Sequence, residues 1–158
     1  MSAPIRIIDL PDAAATEALG RALAAARPVR AHLALEGDLG AGKSTLARAL
    51  LRALGVSGSI RSPTYSLIER YPLADGGEAA HLDLYRLADA GELDVLGLDE
   101  LEASASLWLV EWPERGGRQL PPADLAVALQ VEGEGRRARL RALSPTGRDW
   151  LAGVPGSR

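Results

Sequence analysis

Cysteine and phenylalanine are both absent from this 158-residue chain, and methionine occurs once. Without cysteine there is no disulfide, no thiolate metal site and no cysteine nucleophile, a composition compatible with a reducing compartment. Long apolar runs are missing too. None approaches the length needed to cross a bilayer, and the first residues carry no basic-then-apolar leader pattern. The expectation is a soluble, cytoplasmic protein with no membrane association. Nor is positive charge in excess: a formal net charge of −3 argues against a surface dominated by nucleic-acid binding, while leaving room for a local basic face. Lysine is scarce above all, since Lys43 stands alone among arginines. The abundance of Ala, Leu and Arg reflects a G+C-rich coding bias and says nothing about function. At this length the chain reads as one domain, large enough to bury a core unaided.

That single lysine falls in Gly37-Asp38-Leu39-Gly40-Ala41-Gly42-Lys43-Ser44, which fits the spacing G-x-x-x-x-G-K-[ST] of a phosphate-binding loop. Glycines let backbone N–H groups curl around a phosphate, and a compact ammonium reaches the β and γ oxygens. Arginine's wide planar fork does not fit the same gap. The flanks agree with the motif. Residues 31–36 alternate and are mostly apolar, as a buried strand should be, and residues 44–54 place Leu46, Ala47, Leu50, Leu51 and Leu54 on one helical face before Gly55 stops the helix. A helix opening at Ser44 aims its free N–H groups and positive dipole end at the anion. Asp38, Leu39, Gly40, Ala41, Gly42, Lys43, Ser44 and Thr45 are therefore candidate nucleotide-binding residues.

Around this centre the chain divides into further elements. Residues 5–10 form a short β-branched strand, and Asp12 is placed to cap an Ala-rich helix running to about Ala26, where Arg27-Pro28 ends it. Residues 64–71 and 79–84 read as a hairpin about a turn at 72–77, residues 87–101 as two helical pieces broken at Gly97, and residues 107–111 as an apolar strand. A loop at 113–122 precedes a second hairpin, 124–131 with 136–143. The residues from 144 onward look weakly ordered, so the domain is expected to occupy 1–143. The sum is an α/β, P-loop NTPase-like three-layer sandwich, with a mostly parallel central sheet, antiparallel hairpin strands and helices on both faces.

Phosphate binding alone is not catalysis. Hydrolysis needs Mg2+ and a group that positions the attacking oxygen. The Ser44 hydroxyl, one residue after the lysine, stands where Mg2+ bridging the β and γ phosphates is held. Carboxylates are then expected at the C-terminal ends of neighbouring strands, because ligands of open α/β sheets collect at that edge. Asp83 and Glu111 meet this description; either can bind metal or orient water, and the residues alone do not order the two. Glu36 precedes the loop and only helps to shape it. Thr64, in a link about twenty residues past Lys43, is either a hydroxyl sensing the γ-phosphate or ordinary turn chemistry. Arg61 and Arg86 suit either internal arginine fingers or surface ion pairs. Trp112 stands out in so aromatic-poor a chain, as a nucleotide stack, a partner contact or core packing. Arg137, Arg139 and Arg141 share one face of a late strand, either for tRNA or to protect a sheet edge by charge.

Four segments in order, GDLGAGKST at 37–45, SPTYSLIERY at 62–71, HLDLYRL at 81–87 and LVEWPER at 109–115, resemble the TsaE (YjeE) family of small bacterial ATPases required for threonylcarbamoyladenosine modification of tRNA at adenosine 37. The likeness extends over nearly the whole chain and weakens after the proline-rich loop. It implies a P-loop ATPase, using ATP/ADP and Mg2+, that joins TsaD and TsaB. There its turnover supports repeated transfer cycles, with any tRNA contact made through the complex. By position, Lys43 and Ser44 are implied to bind phosphate and Mg2+, Thr64 to belong to a switch-like segment, Asp83 and Glu111 to serve metal and catalysis, and Trp112 to lie by the site. Ser44, Tyr65 and Asp38 stand where Thr, Phe and Glu are commoner in that family, and none of the three removes a needed functional group. Two other readings remain: a nucleotide-gated binding module with incidental hydrolysis, and a small-molecule kinase, for which the chain lacks a lid-forming insertion.

Overall fold

The computed structural model describes residues 4–61, 63 and 67–155. Seven strands form a single mixed sheet: β1 (Ile5–Leu10), β2 (Ala31–Glu36), β3 (Ile68–Pro72), β4 (Glu78–Asp83), β5 (Leu107–Glu111), β6 (Leu125–Glu132) and β7 (Gly135–Ala142). They lie in the order β1-β7-β6-β2-β5-β4-β3. The four central strands β6-β2-β5-β4 run parallel, whereas β1–β7, β6–β7 and β3–β4 pair antiparallel. Parallel pairing is thus confined to the centre. The two hairpins and β1 give the rest of the sheet its antiparallel character.

Four α-helices accompany the sheet: α1 (Ala13–Ala25), α2 (Lys43–Ala53), α3 (Leu98–Ser104) and α4 (Pro145–Ala152). Asp12 caps α1, its side chain accepting a hydrogen bond from the Ala15 amide. In α2 the helical period brings Leu46, Leu50 and Leu51 to complete burial, and each such side chain contributes roughly 1.5–3 kcal/mol. These three pack with Leu23 of α1, Trp150 of α4 and one face of the sheet, including Leu33, Leu109 and Leu140. The opposite face at β4 and β5 presents Ala80, Leu82, Trp108 and Val110 to a second apolar layer containing Leu93 and Leu101.

Several elements differ from the sequence expectation. The first of the two helical pieces, Ala90–Leu96, is a 3-10 helix, and the 113–122 loop contains two short 3-10 turns, Pro113–Arg115 and Gly117–Gln119. Residues 144–155 include a helix: Ser144 caps α4 by accepting from the Gly147 amide, and Trp150 is fully buried with its indole N–H donating to Leu23 O. β7 is not an edge strand, since β1 and β3 occupy the edges, so edge protection is not the role of its arginines. Arg137, Arg139 and Arg141 instead lie cross-strand from Asp9, Ile7 and Ile5. Arg137 is paired with Asp9, and Arg141 with Glu36.

Candidate functional site

β2 delivers the chain to the glycine loop at the C-terminal edge of the parallel strands. Gly37 has φ 142° and passes so close to β6 that a Cβ there would sit 2.5 Å from Leu129 O. No other residue type fits that position without displacing backbone. Gly42, at φ 109°, opens α2 with no side chain capping the helix start. The first amides of α2 are therefore left for a ligand, as helix N-termini are when uncapped. The helix begins at Lys43, one residue earlier than the sequence suggested.

Lys43 is 5% exposed. Its ammonium donates to Gly37 O and, at 3.0 Å, to Asp38 O, and it stands 4.5 Å from the centre of the Trp112 ring. The only ammonium side chain of the protein is thus held against carbonyl dipoles and an aromatic face. Trp112 takes a left-handed backbone conformation, φ 57° and ψ 51°, that is uncommon for a non-glycine residue. Its ring lies 5.0 Å from that of Tyr85, and Arg115 sits 5.5 Å from the Tyr85 ring.

Asp83 ends β4 and Glu111 ends β5, and the two are direct partners in the parallel register. Strand alternation puts both on the face that carries α2. Together with Lys43, Ser44, Thr45 and Trp112 they line a cavity of about 300 Å3. Burial pushes the Asp83 carboxyl above its ordinary range, and the charge of Glu111 adds to the rise; hydrogen bonding from the Tyr85 amide and the nearby His81 and Lys43 act the other way. Glu111 is 3% exposed, and its Oε2 lies 2.6 Å from His81 Nε2. A second cavity of about 270 Å3 adjoins the first through Gly42, Thr45 and Arg136 and is walled by Asp12, Thr16 and Glu134.

Arg136 and His81 are the residues that motif reading missed. Arg136 reaches across from the β6–β7 hairpin and donates from Nε to Ala41 O and from Nη2 to Gly40 O, both at 3.1 Å. Nothing local in the sequence marks it, because its contact is made 95 residues away. Glu36 is held by Arg141 at 3.1 Å and stays out of the cavity. Arg61 and Arg86 do not line it either; Arg61 is tied through its backbone N–H and C=O to the Tyr71 hydroxyl. Thr64 lies outside the described residues. Among the described residues no group of three or more His, Asp or Glu side chains is arranged to hold a metal ion. Even so, two carboxylates and a serine hydroxyl facing one cavity are the hard oxygen donors that Mg2+ takes, and this ion commonly uses few protein ligands and completes its shell with water and phosphate. That donor chemistry fits the ion.

Fold and site together define a class: a mixed α/β domain whose working cavity lies between the carboxyl ends of parallel strands and the glycine-opened start of a helix. Residues 10–139 match the family described as threonylcarbamoyl adenosine biosynthesis protein TsaE, and the chain belongs to that family. The tRNA threonylcarbamoyladenosine biosynthesis protein TsaE of Haemophilus influenzae is 43% identical over 118 residues, which is 75% of this chain and 74% of the relative. Its counterpart in Bacillus subtilis is 37% identical over 123 residues, 77% and 75% of the two chains. The crystal structure of Bacillus subtilis YdiB matches with a TM-score of 0.81 at 26% identity, covering 98% of this chain and 96% of that one.

Proposed function

We propose that this protein is a P-loop ATPase that hydrolyses Mg2+-ATP in support of threonylcarbamoyladenosine formation at tRNA adenosine 37. The observation that carries the reading is the buried Lys43 at the open start of α2, facing Asp83 and Glu111 across one cavity. On nucleotide binding, the Lys43 ammonium exchanges the Gly37 and Asp38 carbonyls for β and γ phosphate oxygens, and the first α2 amides take up the remaining charge. Arg136 holds the loop carbonyls of Gly40 and Ala41 and so ties the loop to the β6–β7 hairpin. Ser44, Asp83 and Glu111 are the residues that would hold Mg2+, which when bound neutralises charge developing on the β and γ phosphates. Glu111, the more buried acid, orients the attacking water, and Asp83 is its partner. Thr64 is assigned to the nucleotide-responsive segment and Trp112 to the rim of the nucleotide.

Family membership and the names of the relatives support the tRNA role. By the same resemblance the partners are TsaD and TsaB, tRNA is met through their complex, and the protein works in the cytoplasm; no described helix is long and apolar enough to cross a membrane. Titration with Mg2+-ATP tests the site. Lys43→Ala is expected to weaken binding at least tenfold, since it deletes a charge-assisted contact worth about 1.5–3 kcal/mol; retained wild-type affinity refutes the site. Glu111→Ala and Asp83→Ala are expected to lower steady-state hydrolysis about 100-fold with little change in nucleotide affinity. Unchanged rates in both would move catalysis elsewhere. Hydrolysis is expected to rise when TsaD and TsaB are added.

A further inference from the structure

His81 sits inside β4, 2% exposed, in a strand whose other interior residues are Ala79, Ala80 and Leu82. Nothing in such a place requires an imidazole. A leucine would pack there without the cost of burying two ring nitrogens. Nε2 lies 2.6 Å from Glu111 Oε2, and Nδ1 is buried with no partner among the described residues. Two bare acceptors do not approach so closely, so a proton lies between them. Nε2–H donating to a Glu111 carboxylate oxygen is the arrangement that this contact supports. The bond engages one carboxylate oxygen from the neighbouring strand, two residues before Asp83 on the same face. The other, Oε1, has no hydrogen-bond partner among the described residues.

We propose that His81 is a positioning residue for Glu111: its Nε2–H holds the carboxylate in one rotamer, with Oε1 presented to the cavity. This inference rests on the ATPase reading above and assigns it a supporting residue. A glutamate has three rotatable bonds, and fixing it before the reaction removes an ordering cost that would otherwise fall on the chemical step. Asp83 needs no such clamp, because its side chain is shorter and its Oδ1 already accepts from the Tyr85 amide at 3.1 Å.

The test compares His81→Leu, which keeps bulk and removes the donor, with His81→Gln, which returns an amide N–H near the place of Nε2. Both are measured in the full-length protein with Mg2+-ATP, with and without TsaD and TsaB. His81→Leu is expected to lower kcat about 10–100-fold while KM stays within about twofold, and His81→Gln to recover most of the loss. In nucleotide-free protein, a downfield imidazole N–H resonance is expected, and it should vanish in Glu111→Ala. Equal impairment of the Leu and Gln variants, a change in KM in place of kcat, or a wild-type rate in His81→Leu each overturns the assignment, as does absence of the resonance. Wild-type protein that hydrolyses no ATP overturns the ATPase reading and the role of His81 with it. The resonance, read without nucleotide, tells that failure apart from an absent hydrogen bond.

Discussion

Asp83 is where the site carries a standing electrostatic cost. Its carboxyl is raised above the ordinary value of 3.8 by burial, with Glu111 adding to the effect, so the folded protein holds this proton more tightly than the unfolded chain does. Folding therefore takes up a proton in the window that opens at 3.8 and extends upward to the raised value. Stability contributed by this group is present below that window and lost as pH rises through it. Asp83→Asn keeps an acceptor for the Tyr85 amide and discards the charge. It is expected to raise Tm by a few degrees at neutral pH, with the gain shrinking to nothing in acid, as thermal melts across the pH range will show. An unaltered difference at all pH values would mean that charge is not the cause. The residues legible beforehand were those with local grammar: the glycines, Lys43 and Ser44 in one octet, and acids that end apolar strands. His81 and Arg136 were not legible, because an interior imidazole resembles core and a hairpin arginine resembles surface until the register brings each to its partner.

At the scale of elements, the site depends on how closely α2 can lie against α1. Gly20 makes that approach possible, since a Cβ there would meet Ala49 Cβ and Leu46 O, both at 2.8 Å. Gly20→Ala must push the helices apart and is expected to destabilise the protein by about 1–3 kcal/mol, read as a lower urea midpoint with unchanged slope. Because α2 begins on Lys43, the same variant should weaken nucleotide binding more than its distance from the loop suggests. Strand bounds at 5–10, 31–36 and 107–111 were readable in full, because alternation or an unbroken apolar run of that length has few other meanings. The stretch 90–96 was less so. Asp89 and Glu92 satisfy the amides of Gly91 and Ala88, and among its described side chains Leu93 alone is fully buried. Side-chain caps and one anchor, with no apolar stripe, produce a tight 3-10 turn in place of an α-helix.

For the whole molecule, the unexpected contributor is α4. Eight residues containing Pro145 and Gly147 carry no periodic signal, yet Gly147 is required because a Cβ there would lie 1.7 Å from Asp124 O. Asp124 in turn accepts from Ser144 Oγ at 2.7 Å and the His32 amide at 2.8 Å. The C-terminal segment is thereby tied to β2 and β6 through one aspartate. Trp150→Ala is expected to cost about 3–5 kcal/mol and to lower Tm by roughly 10 °C. A loss below about 1 kcal/mol would show that α4 is an accessory to the fold and not part of it.

A chain with one lysine side chain is also a chain with one ε-amine for acylating reagents to find. That amine is sequestered between two carbonyls and an indole, and in the proposed nucleotide complex phosphate would neutralise it, so it would be shielded at both ends of the proposed cycle. Its acylation by a small activated ester would proceed only while the loop exchanges one set of partners for the other. At reagent concentrations where acylation outpaces reclosure, the rate of that reaction is a clock for the transition itself, readable by the mass of the peptide that carries Lys43.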